Sequence, residues 1–281
     1  THLSINGLVA TDNVLAVTEA DPDEREASVN DTRNAQFWLS WSQDWSDNLS
    51  SYTTLSTSAL NSDRSGAVDD DAEIIAMVSD QRDINISGLQ QDWSYALNSH
   101  HELSFGAAFR RIEGDFRYLG SADYFGAFAR FRGVPASINR DLDLHVRGDS
   151  LAAYVADRWQ TGQHTALELG LRWDKQSYTD AGDNEQLSPR VSLLHSLSKD
   201  TDLRISAGRY HQSQAVNELQ VEDGVSRFAP AQRADQFIAS IQHRLNARYS
   251  LRAEAYYKEL DRLRPRFENL LDPLAVMPEL K

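Results

Sequence analysis

Apolar and polar side chains alternate along most of this chain with a period of two. In residues 166–174, Leu167, Leu169, Leu171 and Trp173 fall on one face, and Glu168, Gly170, Arg172 and Asp174 on the other. Leu251, Ala253, Ala255 and Tyr257 oppose Arg252, Glu254, Tyr256 and Lys258 in the same way. Leu103, Phe105, Ala107 and Phe109 oppose Glu102, Ser104, Gly106 and Ala108. Phe37, Leu39, Trp41 and Trp45 share another apolar face. Helical spacing fits none of these stretches, whereas strict alternation predicts strands with one apolar face. The pattern predicts about eleven strands of roughly 9–13 residues. Their spans are 2–10, 34–45, 49–60, 83–96, 102–113, 148–160, 165–177, 188–197, 203–211, 234–245 and 250–260. The fourth is irregular: Ile84 and Ile86 are out of phase with Trp93 and Tyr95, which suggests a bulge or a misjudged start.

The connections alternate as well. Residues 46–48, 97–101, 161–164, 198–202 and 246–249 read as tight polar turns. Between them lie long segments at 11–33, 61–82, 114–147, 178–187, 212–233 and 261–281. A transmembrane barrel has short periplasmic turns and long extracellular loops. A soluble sandwich has no reason to keep every long loop at one end. Trp45, Trp93 and Trp159 each precede a short turn, where an aromatic girdle would sit. The plainer alternative makes them ordinary core residues. The fold class expected is therefore all-β, an antiparallel transmembrane β-barrel segment. Single-chain bacterial barrels have an even strand number. About eleven strands thus predict a chain cut at both ends, roughly half of a 22-stranded barrel, the size at which the lumen must be plugged.

Composition agrees with this picture. The 281 residues carry a net charge of −14 and no cysteine, so there is no disulfide framework and no thiolate metal site. No apolar run reaches the roughly 18 residues of a spanning helix. Barrel strands put only alternate side chains into lipid, so a polar average does not exclude them. The acidic balance argues against nucleic acid, whose phosphates need a basic face. The first ten residues have no basic n-region and no cleavage site, so the expectation is that a signal was removed or that the chain does not begin at its natural start.

Few motifs carry chemistry. Gly148-Asp149-Ser150-Leu151 looks like the nucleophile block of a serine esterase, but no downstream Asp-x-x-His partner follows, and Ser150 opens a strand. No catalytic residue is expected. Asp12, Glu19, Asp21, Asp23, Glu24, Glu26 and Asp31 form one acidic stretch, and Asp69, Asp70, Asp71 and Glu73 a second. Neither has EF-hand spacing, so both read as solvated loops, with calcium bridging to lipopolysaccharide the minor alternative. No histidine pair has the spacing of a helical zinc site, and no metal or other cofactor is expected.

With Leu187-Ser188-Pro189-Arg190, Arg252-Ala253-Glu254-Ala255-Tyr256-Tyr257-Lys258 and Arg264-Pro265-Arg266-Phe267-Glu268-Asn269, the second half resembles the TonB-dependent outer-membrane receptors of proteobacteria. The resemblance runs over residues 147–281. It is carried by Leu187-Ser188-Pro189-Arg190-Val191, Leu203-Arg204-Ile205-Ser206-Ala207-Gly208-Arg209-Tyr210 and Asn217-Glu218-Leu219-Gln220. It continues in Arg252-Ala253-Glu254-Ala255-Tyr256-Tyr257-Lys258 and Arg264-Pro265-Arg266-Phe267-Glu268-Asn269. It implies a barrel with an N-terminal plug and a TonB-binding box, neither present in these residues. It further implies uptake of a scarce solute such as a ferric siderophore, cobalamin or an oligosaccharide. The partners implied are outer-membrane lipid and lipopolysaccharide, the plug, TonB and the solute. Rival readings are a passive porin, a barrel enzyme and a soluble sandwich.

Site candidates follow from position. Arg172, Arg204, Arg252, Glu168, Glu254 and Lys258 oppose the apolar face and are expected to line the lumen. They line a solute path or meet a plug, or are simply the polar interior of any barrel. Glu218 in 217–224, and Arg264 and Arg266 in 264–269, are expected in outer loops, where they catch ligand or brace the rim.

Overall fold

A computed structural model describes residues 1–18, 24–70, 74–125, 127, 129–130, 135–179 and 184–264. Among these residues eleven strands form a single sheet in chain order, each antiparallel to its neighbours. They are β1 His2–Thr18, β2 Glu24–Ser46, β3 Leu49–Asp70, β4 Ile74–Ala96, β5 His101–Tyr124 and β6 Ser137–Gly162. The shorter strands follow: β7 Thr165–Gln176, β8 Glu185–Ser198, β9 Thr201–Gln212, β10 Gln232–Arg244 and β11 Ser250–Asp261. Among the described residues no helix is long and apolar enough to cross a membrane, which says nothing of crossing by strands.

Residue parity names the face. Ser4, Ser40, Thr54, Gln90, Ala108, Ala152, Asp174 and Gln186 lie in one row across β1 to β8. Gly208, Gln236 and Lys258 continue the even-numbered face through β9 to β11. The pairing shifts only at bulges beside three short turns, at Ser46, Gly162 and Ser198. Odd positions therefore share the other face throughout. There Leu39, Leu55, Leu89, Phe109 and Leu151 form one row, and Leu169, Val191, Ala207, Phe237 and Tyr257 another. Most of these are well exposed. An exposed apolar belt of this extent is unusual for a surface in water and is what a lipid-facing wall requires. The odd face is accordingly the outer face and the even face the inner one.

The belt has polar and aromatic borders. Beside the short turns, Trp41, Trp45, Trp93 and Phe105 form a chain of ring contacts with centroids 6.0–6.3 Å apart. Trp159 stacks on His101 at 5.4 Å. Trp45 and Trp159 are exposed, so these rings are a surface girdle and not a core. At the opposite border the outer face turns to cross-strand ion pairs, Arg111–Asp149, Lys175–Glu185 and Arg209–Asp235.

Two expectations are corrected. The segments 11–33, 61–82 and 114–147 are mostly strand, because β1 to β6 continue well past the ion-pair border. A tilted strand spans the hydrocarbon in about 9–11 residues. The 22 to 26 residues of β2 to β6 therefore leave roughly a dozen beyond it. Second, β4 has no bulge, and its start is the misjudged feature: the strand begins at Ile74, and its ladders to β3 and β5 run without a register shift. Ile84 and Ile86 lie on the inner face because the inner face itself turns apolar there. Val68, Ile74, Ala76, Val78, Ile84, Ile112, Phe116 and Val146 pack in one buried cluster with Val216, Leu219, Val221 and Phe228 of the β9–β10 segment. The main core thus lies above the belt.

The two faces predict opposite costs for the same charge. Leu171→Arg, on the outer belt, should destabilise the folded barrel by about 2–4 kcal/mol. Ser206→Arg, on the inner face, should change it by less than about 0.5 kcal/mol. Urea titration of folding into lipid vesicles reads both, and equal costs would refute the assignment of faces.

Candidate functional site

The inner face changes character with height. Its lower rows are polar, its upper rows hold a large apolar cluster beside the charged Arg64, Asp80, Arg82 and Arg140, and the segment 213–231 folds down over the change. Two short 3-10 turns, Val216–Glu218 and Val221–Asp223, give this segment its shape. Gly224 ends the second turn at φ 76°, a left-handed conformation that favours glycine. Gln214 staples the segment to itself: its Nε2 donates to the Glu218 carbonyl at 2.9 Å, and its Oε1 accepts from Ala229 N at 2.8 Å. Leu219 and Val221 are 0% exposed. Gly114 lets Val216 seat, since a Cβ there would stand 3.0 Å from its Cγ1.

Charges pin the segment at its outer end. Arg82 of β4 donates to both oxygens of Asp80, at 2.9 and 2.7 Å, and to Glu222 Oε2 at 2.7 Å. Arg64 adds a 3.3 Å bond to Asp80. Arg140 of β6 donates to the Glu222 carbonyl. Burial opposes the charge on Arg82, but bonding to Asp80 and the fields of Glu222 and Asp80 outweigh it and hold the guanidinium pKa above its ordinary value.

Beneath the segment lies a cavity of about 550 Å³. Its walls are mainly inner-face residues of β3 to β8 with His211 of β9, and its roof is residues 213–216. Tyr154 OH donates to Asp92 Oδ1 at 2.8 Å, and Gln90 Nε2 to Asp92 Oδ2 at 2.7 Å. Arg172 binds Asp174 through Nε and Nη2 at 2.8 and 2.7 Å. Gln176 Nε2 donates to Gln186 Oε1 at 2.9 Å and also to Ser213 Oγ. His211 Nδ1 lies 2.9 Å from Ser188 Oγ.

The predicted residues do not gather in one place. Arg172 lines this cavity. Arg204 lies lower on the inner face of β9, between Leu194 and Ser240. Arg252 and Glu254 pair with each other on β11, far along the sheet from Arg172. Glu168 meets Arg190 at 3.7 Å, and Lys258 lies opposite Gln236. Glu218 bonds Arg264, and its Oε2 also accepts from Ala215 N at 2.9 Å. The 217–224 segment thus braces the wall. Arg266 and the rest of 265–269 lie outside the described residues, as do Glu19, Asp21, Asp23, Asp71 and Glu73. Asp12, Glu26, Asp31 and Asp69 lie on strands, not in the loops expected. No group of three metal-ligating side chains occurs among the described residues. Asp149 and Ser150 are mid-strand on opposite faces of β6, where Asp149 pairs with Arg111, so the esterase-like block is ordinary strand. Position alone did not reveal Asp92, Tyr154, Gln176 or Gln186, nor the Arg82–Asp80–Glu222 cluster. The signal available was the reversed phase of Ile84 and Ile86.

Glu218 gives a pH prediction. Burial pushes its pKa up, but bonding to Arg264 and to the Ala215 amide outweighs this and sets it below its ordinary value. A depressed carboxylate pKa contributes stability above the unfolded pKa and loses it as pH falls through the folded one. Amide exchange around residues 215–219 should therefore gain protection between pH 3 and pH 6, and Glu218→Gln should flatten that dependence.

A sheet with a lipid-type outer belt, a polar inner face and a roofed inner cavity defines the wall of a transmembrane β-barrel. Residues 4–264 match the family described as TonB dependent receptor-like, beta-barrel, and the chain belongs to that family, a bacterial outer-membrane one. Solved structures agree in fold. The ferric yersiniabactin uptake receptor FyuA from Yersinia pestis superposes with a TM-score of 0.61 at 8% identity, over 92% of this chain and 40% of that one. The ferric citrate transporter FecA gives 0.55 at 10% identity, over 92% and 43%. The RagAB peptide transporter gives 0.54 at 11% identity, over 85% and 31%. The chain spans less than half the length of each. No curated protein matches it in sequence.

Proposed function

We propose that this chain is part of the barrel wall of an outer-membrane receptor that takes up a scarce solute at the expense of TonB-transmitted energy. The observation that carries this is the division of faces: an outer apolar belt between aromatic and ion-pair borders, and a polar inner face, on the sheet of this receptor family. Antiparallel strands satisfy their backbone groups sideways, as lipid requires of a spanning sheet. Among the described residues the sheet ends on β1 and β11, each paired on one side only. Further strands, making roughly a 22-stranded barrel, would close it around a plug. The remaining partners of this reading are TonB, outer-membrane lipid and lipopolysaccharide, and the solute. Siderophore, cobalamin and oligosaccharide classes all fit the family. The relatives above are named for ferric yersiniabactin, ferric citrate and peptides, so the solute of this chain must be argued from its own inner face. Lumen residues Arg172, Arg204, Arg252 and Glu254, with Glu218 and Arg264 above them, are the solute-facing candidates, and Arg266, outside the described residues, is kept as a candidate from the sequence alone.

The test is energised uptake. Cells carrying the full-length receptor should accumulate solute, and accumulation should disappear without TonB or on adding an uncoupler. Uptake that persists unchanged in both cases would make the protein a passive channel.

A further inference from the structure

We propose that the cavity under the β9–β10 segment binds the oxyanion-bearing, hydroxyl- or amide-rich part of the solute, with Arg110 holding the oxyanion. Gln176 and Gln186 take the neighbouring polar groups. The assignment rests on the uptake reading, since it takes the inner face as the solute's side.

Three observations carry it. The cavity holds two carboxylates and two guanidinium groups, from Asp92, Asp174, Arg110 and Arg172. Both carboxylates are already engaged, Asp92 by Tyr154 and Gln90, and Asp174 by Arg172. Arg110 is left over: it is exposed on the inner face and has no ion-pair or hydrogen-bond partner among the described residues. An unengaged guanidinium offers a fork of donors that suits carboxylate or phosphate.

Gln176, two strands away in the same row, supplies the second observation. Arg110 lies opposite Ser150, and Ser150 opposite Gln176. Gln176 is 2% exposed, and its Oε1 is cut off from solvent with no hydrogen-bond partner. Leaving a buried acceptor unpaired is costly. A hydroxyl or amide N–H from a bound molecule would satisfy it. The third observation is the wall's composition. Gln90, Gln186 and Gln214 join Ser56, Ser150 and Ser213 around this space. These amides and hydroxyls donate and accept at once, which suits a polyhydroxylated or amide-bearing partner and not an apolar one.

The probes are glucose, glucuronate and glucose 6-phosphate, which share one hydroxylated ring and differ in the anion. Binding is read by saturation-transfer NMR on the full-length receptor in detergent, with heat-modifiable gel mobility confirming that each variant is folded. The charged sugars should bind about tenfold more tightly than glucose, as one charge-assisted contact implies. The stronger of the two identifies the oxyanion as carboxylate or phosphate. Arg110→Gln should bring both down to glucose, while Gln176→Leu should weaken all three alike. Equal binding of charged and neutral sugars, no binding, or an anion preference that survives Arg110→Gln would overturn the proposal. So would an Arg110→Cys thiol that stays closed to a membrane-impermeant maleimide, since the plug would then fill the cavity. The segment has no cysteine of its own to confuse that label. Binding needs no TonB, so this result stands apart from the uptake test.

Discussion

Leu219→Ala should release the β9–β10 segment from the inner face while leaving the barrel wall intact. Leu219 is completely buried in a cluster with Phe116, Ile84 and Val216. Removing a buried leucine side chain costs about 2–5 kcal/mol, the upper end applying where neighbours cannot close the gap. Here the neighbours on one side are the paired strands β4 and β5, which cannot move inward without breaking their ladders. The segment opposite is held mainly by this cluster and a few polar bonds, so it should yield instead. Hydrogen exchange at residues 216–225 should accelerate by about 30-fold or more, as roughly 2 kcal/mol or more of lost docking implies. Exchange in β7 and β8 should be unchanged. Unaltered protection at 216–225 would mean that the apolar cluster does not hold the roof. Loss of the folded barrel would mean that roof and wall form one cooperative unit.

The sequence shows this wall clearly in some places and hides it in others, for one physical reason. Where odd positions meet lipid and even positions meet a polar lumen, side-chain chemistry alternates with the backbone. Residues 102–113 and 166–174 are legible for that reason. Beyond the ion-pair border neither face meets lipid. In β4 the outer face carries Asp83 and Gln81, while the inner face carries Ile84, Val78 and Ile74. The apolar phase reverses by one residue without any break in the backbone. Periodicity read along one strand registers that reversal as a bulge or a loop. The partner that makes the inner face apolar, residues 213–231, is more than a hundred residues away in the chain. Only the three-dimensional packing connects them. The same distance hides the cavity: Asp92, Tyr154 and Gln176 come from three strands and form no local motif. Arg172 is legible because inner-face position can be read from parity alone.

Arg82→Met should be more damaging than its partly exposed position suggests. Arg82 is the principal partner of Asp80, whose side chain is only 4% exposed. Breaking a buried pair by removing one member leaves an uncompensated charge and costs about 3–5 kcal/mol. Arg64 remains near Asp80 at 3.3 Å, which places the expected loss near the low end of that range. Glu222 loses its partner too, but its side chain is 27% exposed and water can serve it. The second arm separates charge from packing. Arg82→Met combined with Asp80→Leu removes the stranded charge and should recover most of the stability, because apolar replacement of a buried ion pair is often neutral or better. Urea denaturation in detergent gives the global cost, and proteolysis within 213–231 reports whether the roof has lifted. Recovery in the double variant with the roof still docked would show that the ion cluster serves register more than stability. If the roof lifts in both variants, the Arg82–Glu222 bridge itself is what fastens it.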